Sequence, residues 1–107
     1  MIRFKVFFEG DKIAGFELKG HSGYAEHGKD IVCSAVSVLA ITTVNSIEKL
    51  TDCIVEAETK DGYMKARLIS TDNCDAQLIL KSMLLGLDMI SEQYPNNVVI
   101  TNKVTEV

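Results

Sequence analysis

At the start of the chain, apolar and polar side chains alternate. In "IRFKVFFE" the residues Ile2, Phe4, Val6 and Phe8 share one side of a period of two, the pattern of a half-buried strand. Gly10-Asp11 is turn chemistry, and "IAGFELK" then sets Ala14, Phe16 and Leu18 on one face, so this segment predicts a hairpin. Past the glycine-rich stretch the period changes. Ile31, Val32, Ala35, Val36, Leu39, Ala40, Val44, Ile47 and Leu50 recur at helical spacing, predicting a helix from 31 to about 50. Asp30, just before it, is a suitable N-cap because its carboxylate can accept from an otherwise unpaired amide.

"CIVEAETKDGYMKARLI" predicts a second hairpin, with Asp61-Gly62 as the tight turn and Met64, Ala66 and Leu68 continuing an apolar face. Thr71, Asp72 and Asn73 are capping candidates for a second helix from about 74 to 93, which stops before Pro95. "NVVITNKV" closes as a last strand. The predicted order is β-β-α-β-β-α-β. Hairpins imply antiparallel pairing, so the fold class is a two-layer α+β domain with a mostly antiparallel sheet and two helices. Residues 1–107 suffice for one core and fall short of two.

The second helix is apolar on two sides. Ala76, Ile79, Leu80, Met83, Leu87 and Ile90 form one stripe, Leu78, Leu85 and Met89 another, and Gln77, Lys81, Asp88 and Glu92 share a polar sector. A helix of this kind must bury both stripes. Either the first helix covers the second stripe or another copy of the chain does; the reading favours a homodimer.

Composition narrows the class. Apolar residues make up 47% and charged residues 24%, a globular balance rather than a disordered one. Ser34, Ser37, Thr42, Thr43 and Asn45 interrupt the longest apolar run, so no membrane span is expected. The N-terminus lacks a signal-peptide pattern. Three cysteines at scattered spacing give no disulfide framework and suit a reducing cytosol. A net charge of −4 argues against direct nucleic-acid binding and would suit a basic partner.

Candidate chemistry lies in "GHSGYAEHGKDIVCSAVS", Gly20 to Ser37. Counting from Asp30 as the cap, Cys33 is the third residue of a helix's first turn. Amides there lack intrahelical acceptors, and the helix dipole places partial positive charge among them. Both features stabilise a thiolate, and the amides of Val32 and Cys33 could donate to an oxyanion forming beside the sulfur. His21 can take the thiol proton if the loop, with Ser22, Gly23 and Gly28 as its flexible part, folds over the helix start. Asp30 pulls the other way by repulsion unless it orients His21 or an imidazolium sits between the two charges. Composition and spacing leave Cys33 open to three readings: core packing, nucleophile, or metal and redox chemistry. His21, His27, Asp30 and Cys33 could ligate a metal, but no CxxC or HExxH spacing supports one, and neither metal nor cofactor is expected. Cys53 and Cys74 read as structural, and Glu56 and Glu58 as cross-strand partners of Lys65 and Arg67.

"GH…HGKDIVCSAVS" resembles the signature of the ribosomal-processing cysteine protease family: a Gly-His, a variable loop, then Gly-x-Asp-Ile-Val-Cys, a small residue or two, and a Ser. "DAQLILKSMLLGLDMISEQYP" and both hairpins resemble members too, so the likeness spans nearly the whole chain. It implies a cytosolic, homodimeric bacterial endopeptidase. Such enzymes remove an N-terminal extension from the twenty-seventh protein of the large ribosomal subunit. By position, Cys33 matches the nucleophile and His21 the general base, while Asp30 and Ser37 match motif positions. His27 matches nothing fixed, and Ser34 stands where many members have alanine. The alternative is a non-catalytic ribosome-associated binding or assembly factor of the same fold.

Overall fold

Both hairpins and both helices form where the periodicity places them. The computed structural model describes residues 1–26 and 28–104. Its elements are β1 (Ile2–Glu9), β2 (Lys12–Lys19), α1 (Ile31–Leu50), β3 (Val55–Lys60), β4 (Tyr63–Leu68), α2 (Cys74–Gln93) and β5 (Val98–Val104). The five strands make one sheet in the order β3-β4-β2-β1-β5. Three pairings are antiparallel, and β5 lies parallel to β1. The parallel return follows from α2. A helix between β4 and β5 carries the chain back to the end where β4 began, so β5 runs in the same direction as β4 and β1.

The core lies between the sheet and the helix layer. Ile2, Phe4 and Val6 meet Val32, Val36, Ala40, Val44 and Ile47 of α1 and Ala76, Leu80, Met83 and Leu87 of α2, all buried. The Phe4 and Phe16 rings stack at 5.1 Å. Burying one such large side chain contributes about 1.5–3 kcal/mol. By length and a mean hydropathy of 1.6, α1 could cross a membrane, contrary to the expectation above. The residues that interrupt its apolar run are polar but uncharged, so the mean stays high. In the fold one face of α1 packs against the sheet.

Three packing expectations are corrected. The β1–β2 register shifts between Phe7 and Phe8, so that Phe7 faces Gly15 and Phe8 faces Ile13. The shift turns Ile13 into the core and leaves Ala14, expected on the buried face, only half-buried. A β-bulge has this effect because one extra residue inverts the alternation. Gln77, assigned to a polar sector, is buried. Its amide accepts from the Ile13 N–H at 2.8 Å and donates to the Ile13 carbonyl at 2.8 Å, pairing backbone groups beside the bulge. On the open sheet face Arg67 does pair with Glu56 at 2.8 Å. Glu58 instead binds Lys60 at 3.4 Å, while Lys65 sits over the Phe7 ring.

The second stripe of α2 is not covered by α1. Leu78, Leu85 and Met89 are exposed, as are Val38 and Ile41 on α1.

Candidate functional site

The site begins where β2 ends. Gly20 has a φ of +97°, and a side chain there would stand 2.5 Å from the Met1 carbonyl oxygen, so only glycine fits between β2 and the chain's first residue. The Gly20 N–H donates to the Gly62 carbonyl at 2.8 Å. That bond ties the main chain just ahead of His21 to the β3–β4 turn. His21 itself is exposed.

Asp30 gathers the other side. It is buried, and it caps α1 by accepting from the Cys33 N–H on Oδ1 at 2.9 Å. Its Oδ2 accepts from the Ser22 hydroxyl and from the Tyr24 N–H at 3.2 Å, with the Ala25 N–H at 3.5 Å. Burial alone would push this carboxyl up. The hydrogen bonds from Ser22, Cys33, Ala25 and Tyr24 outweigh it and hold the carboxyl below the usual aspartate range. The predicted N-cap is therefore present, and it does more than cap. Its two oxygens fix the loop to the helix start.

Ser22 departs from its expected place in a flexible loop segment. It is buried, and its carbonyl accepts from Asn97 Nδ2 at 2.9 Å. The Tyr24 and Tyr94 rings meet edge to face at 5.3 Å. These contacts anchor the front of the loop to the α2–β5 connection. Gly23 and Gly28 lie beyond the anchored serine and are exposed. His27 lies outside the described residues.

Between these anchors the surface opens into two adjoining hollows of about 240 and 480 Å³. His21, Cys33, Ser37 and Asp61 line both. Cys33 is half-buried, with its thiol free, and Ser37 follows it one turn along α1. The smaller hollow is walled by apolar groups of Ile2, Leu18, Ile41 and Met64, while the larger runs under the loop past Ala25, Gly28 and Asp30. A thiol and an imidazole facing a common space can carry out nucleophilic attack with proton transfer. The Cys33 amide, one of the two oxyanion donors considered above, already donates to Asp30. Val32, the other donor considered, is buried and lines neither hollow.

Among the described residues no cluster of three or more His, Cys, Asp or Glu side chains could hold a metal ion. Cys53 is buried, with its sulfur 3.5 Å from the Ser70 carbonyl, as suits a structural thiol. Cys74 is exposed at the start of α2. Asp61 was visible in the sequence only as half of a turn, because no local signal connects that turn to a loop some forty residues earlier.

Comparison with known proteins gives this arrangement a family. A family model described as cysteine protease Prp matches residues 1–99. The ribosomal processing cysteine protease Prp of Staphylococcus aureus is 35% identical over 94 residues, covering 86% of this chain and 89% of that protein. The Bacillus subtilis protein of the same description is 28% identical over 111 residues, covering 97% and 99%. The crystal structure of the S. aureus protease with a covalently linked product peptide superposes with a TM-score of 0.92 at 33% identity, covering 96% of this chain and 100% of that one. The chain belongs to the cysteine protease Prp family.

Proposed function

We propose that this protease is a cytosolic endopeptidase that removes the N-terminal extension of the twenty-seventh large-subunit ribosomal protein, with Cys33 as nucleophile and His21 as general base. One observation carries the assignment of roles: Cys33 and His21 line the same two hollows. The substrate class is supported by the relatives' description as ribosomal processing proteases and by the product peptide held covalently in the S. aureus structure.

His21 takes the Cys33 thiol proton, and the sulfur attacks the scissile carbonyl carbon. The oxyanion that forms beside Cys33 is stabilised by the partial positive charge at the start of α1. The C–N bond breaks, and the new amine leaves with the proton from the imidazolium. Water, deprotonated in turn by His21, then hydrolyses the thioester and restores the thiol. Ser37 stands one turn beyond the sulfur and shapes the shared wall.

The test is incubation of the wild-type protein with the precursor, which should be cut at one bond near its N-terminus. In parallel, Cys33 should react with iodoacetamide at neutral pH about tenfold faster than Cys74, with Cys53 slowest. Faster labelling at exposed Cys74 would remove the basis for Cys33 as the activated thiol.

The same reading makes the protein a homodimer. Leu78, Leu85 and Met89 of α2, with Val38 and Ile41 of α1, present an apolar surface turned away from the core, of the kind that self-association buries. Leu85→Glu should raise the dimer dissociation constant by about 100-fold or more by placing an unpaired charge in that surface. Sedimentation equilibrium reads this directly, and a wild-type protein that stays monomeric at tens of micromolar would refute it.

A further inference from the structure

We infer that the β3–β4 turn is a positioning element for the base, and that Gly62 acts in it as the floor against which the His21 imidazole rests. The inference rests on the reading of His21 as the general base and goes beyond it to what holds the ring.

Two contacts carry it. The first is the backbone bond from the Gly20 N–H to the Gly62 carbonyl, 2.8 Å, which fixes the chain immediately before the histidine. The second is the ring itself. A Cβ built on Gly62 would stand 2.9 Å from His21 Nε2, 3.3 Å from Cε1 and 3.6 Å from Cδ2. The imidazole therefore lies directly over the face of Gly62 that any side chain would occupy. A Cβ does not pack within 3.0 Å of another side chain's heavy atom, so a methyl group there must displace the ring. The ring can give way because it is the far end of a side chain. Displacement consequently falls on the base rather than on the sheet. Asp61, the other turn residue, lines both hollows beside His21 and Cys33, so the turn forms part of the site wall as well as its floor.

The fold supplies an internal control. Gly62 has a φ of +67° and Gly10, in the β1–β2 turn, a φ of +62°. Alanine at either position meets the same left-handed backbone penalty. A Cβ at Gly10 has nothing within 4 Å. The two variants thus share the backbone effect and differ in the contact with the imidazole.

The experiment measures iodoacetamide alkylation of Cys33 against pH, resolved by peptide mass, in full-length Gly62→Ala, Gly10→Ala and His21→Asn. Gly62→Asn is the second variant at this position, since asparagine tolerates positive φ better while carrying the same Cβ. Gly62→Ala should lose as much thermal stability as Gly10→Ala and little more, and Gly62→Asn less than either. At neutral pH Cys33 alkylation in both Gly62 variants should fall about tenfold or more, with the pH profile moving toward that of His21→Asn; displacements near 1 Å commonly have effects of this size. Gly10→Ala should retain the wild-type profile. A wild-type profile in both Gly62 variants, with an altered one in His21→Asn, overturns the positioning role and leaves the base assignment standing. An unaltered profile in His21→Asn overturns the base assignment itself.

Discussion

Replacing Cys33 with alanine is expected to lower the cleavage rate by at least about 10³-fold while leaving the fold intact. In the proposed mechanism the thiol is the group that forms the covalent bond to substrate, and neither remaining cysteine is placed to substitute for it. Cys53 is buried against the Ser70 carbonyl, and Cys74 is exposed at the start of α2; neither lines the hollows that hold His21. The fold survives because Cys33 is half-buried at the edge of the core and its backbone amide, not its sulfur, makes the bond to Asp30. Truncation there removes one sulfur from a site already open to solvent, an effect of about 1 kcal/mol or less. Serine should be nearly as inactive, since a hydroxyl gives up its proton far less readily than a thiol. Cleavage of precursor and thermal melting, measured on one preparation, separate the two effects. Residual activity within tenfold of wild type in Cys33→Ala would show that another group performs the attack.

How much of this could be read from the chain depends on whether each signal is local. The strands and helices were legible because their periods are written in consecutive residues, and the N-cap at Asp30 because capping acts over three positions. The cysteine at the first turn and the histidine upstream could be placed for the same reason, strengthened by the family signature. The parallel pairing of β5 with β1 was not legible. It depends on which sheet edge is open after α2 returns, and that is a property of the whole sheet. The bulge at Phe7–Phe8 was hidden because Ala14 and Ile13 are both apolar, so either alternation looks acceptable. Gln77 read as a surface residue because its partners, the Ile13 N–H and carbonyl, lie across the core rather than nearby in the helix. Within the site, Asp61-Gly62 was fully explained as turn chemistry. A residue type with one sufficient explanation gives no hint of a second, and only the fold places an imidazole over that glycine. Ser22 misled in a similar way. Its glycine-rich context suggests mobility, whereas its hydroxyl is bonded to a buried carboxylate.

That carboxylate is where stability and site geometry should fail together. Asp30→Ala removes the acceptor for the Cys33, Tyr24 and Ala25 amides and for the Ser22 hydroxyl. Losing an N-cap costs about 0.5–2 kcal/mol, and leaving the buried Ser22 hydroxyl without an acceptor for its proton adds about 1–3 kcal/mol. A total near 2–4 kcal/mol is expected, a large share of the stability of a domain this size. Asp30→Asn divides the two roles. Its carbonyl can still accept from the Cys33 amide, but its NH₂ is a donor facing the Tyr24 and Ala25 N–H groups. The helix start should therefore persist while the loop loses its anchor, with about half the loss of stability and a larger loss of cleavage than the stability change explains. The pH dependence gives the decisive check. Because the folded-state carboxyl is held below the usual aspartate range near 3.9, its contribution is fully present above that value. It is lost as pH falls through the lower folded-state value. The stability gap between wild type and Asp30→Asn should thus be constant from about pH 5 to 8 and narrow progressively on acidification below about pH 4. Urea denaturation at pH 7 and pH 3 measures the narrowing. A gap as wide at pH 3 as at pH 7 would mean that the lost stability has nothing to do with the charge on Asp30, and the hydrogen-bonded anchor between loop and helix would have to be abandoned as its cause.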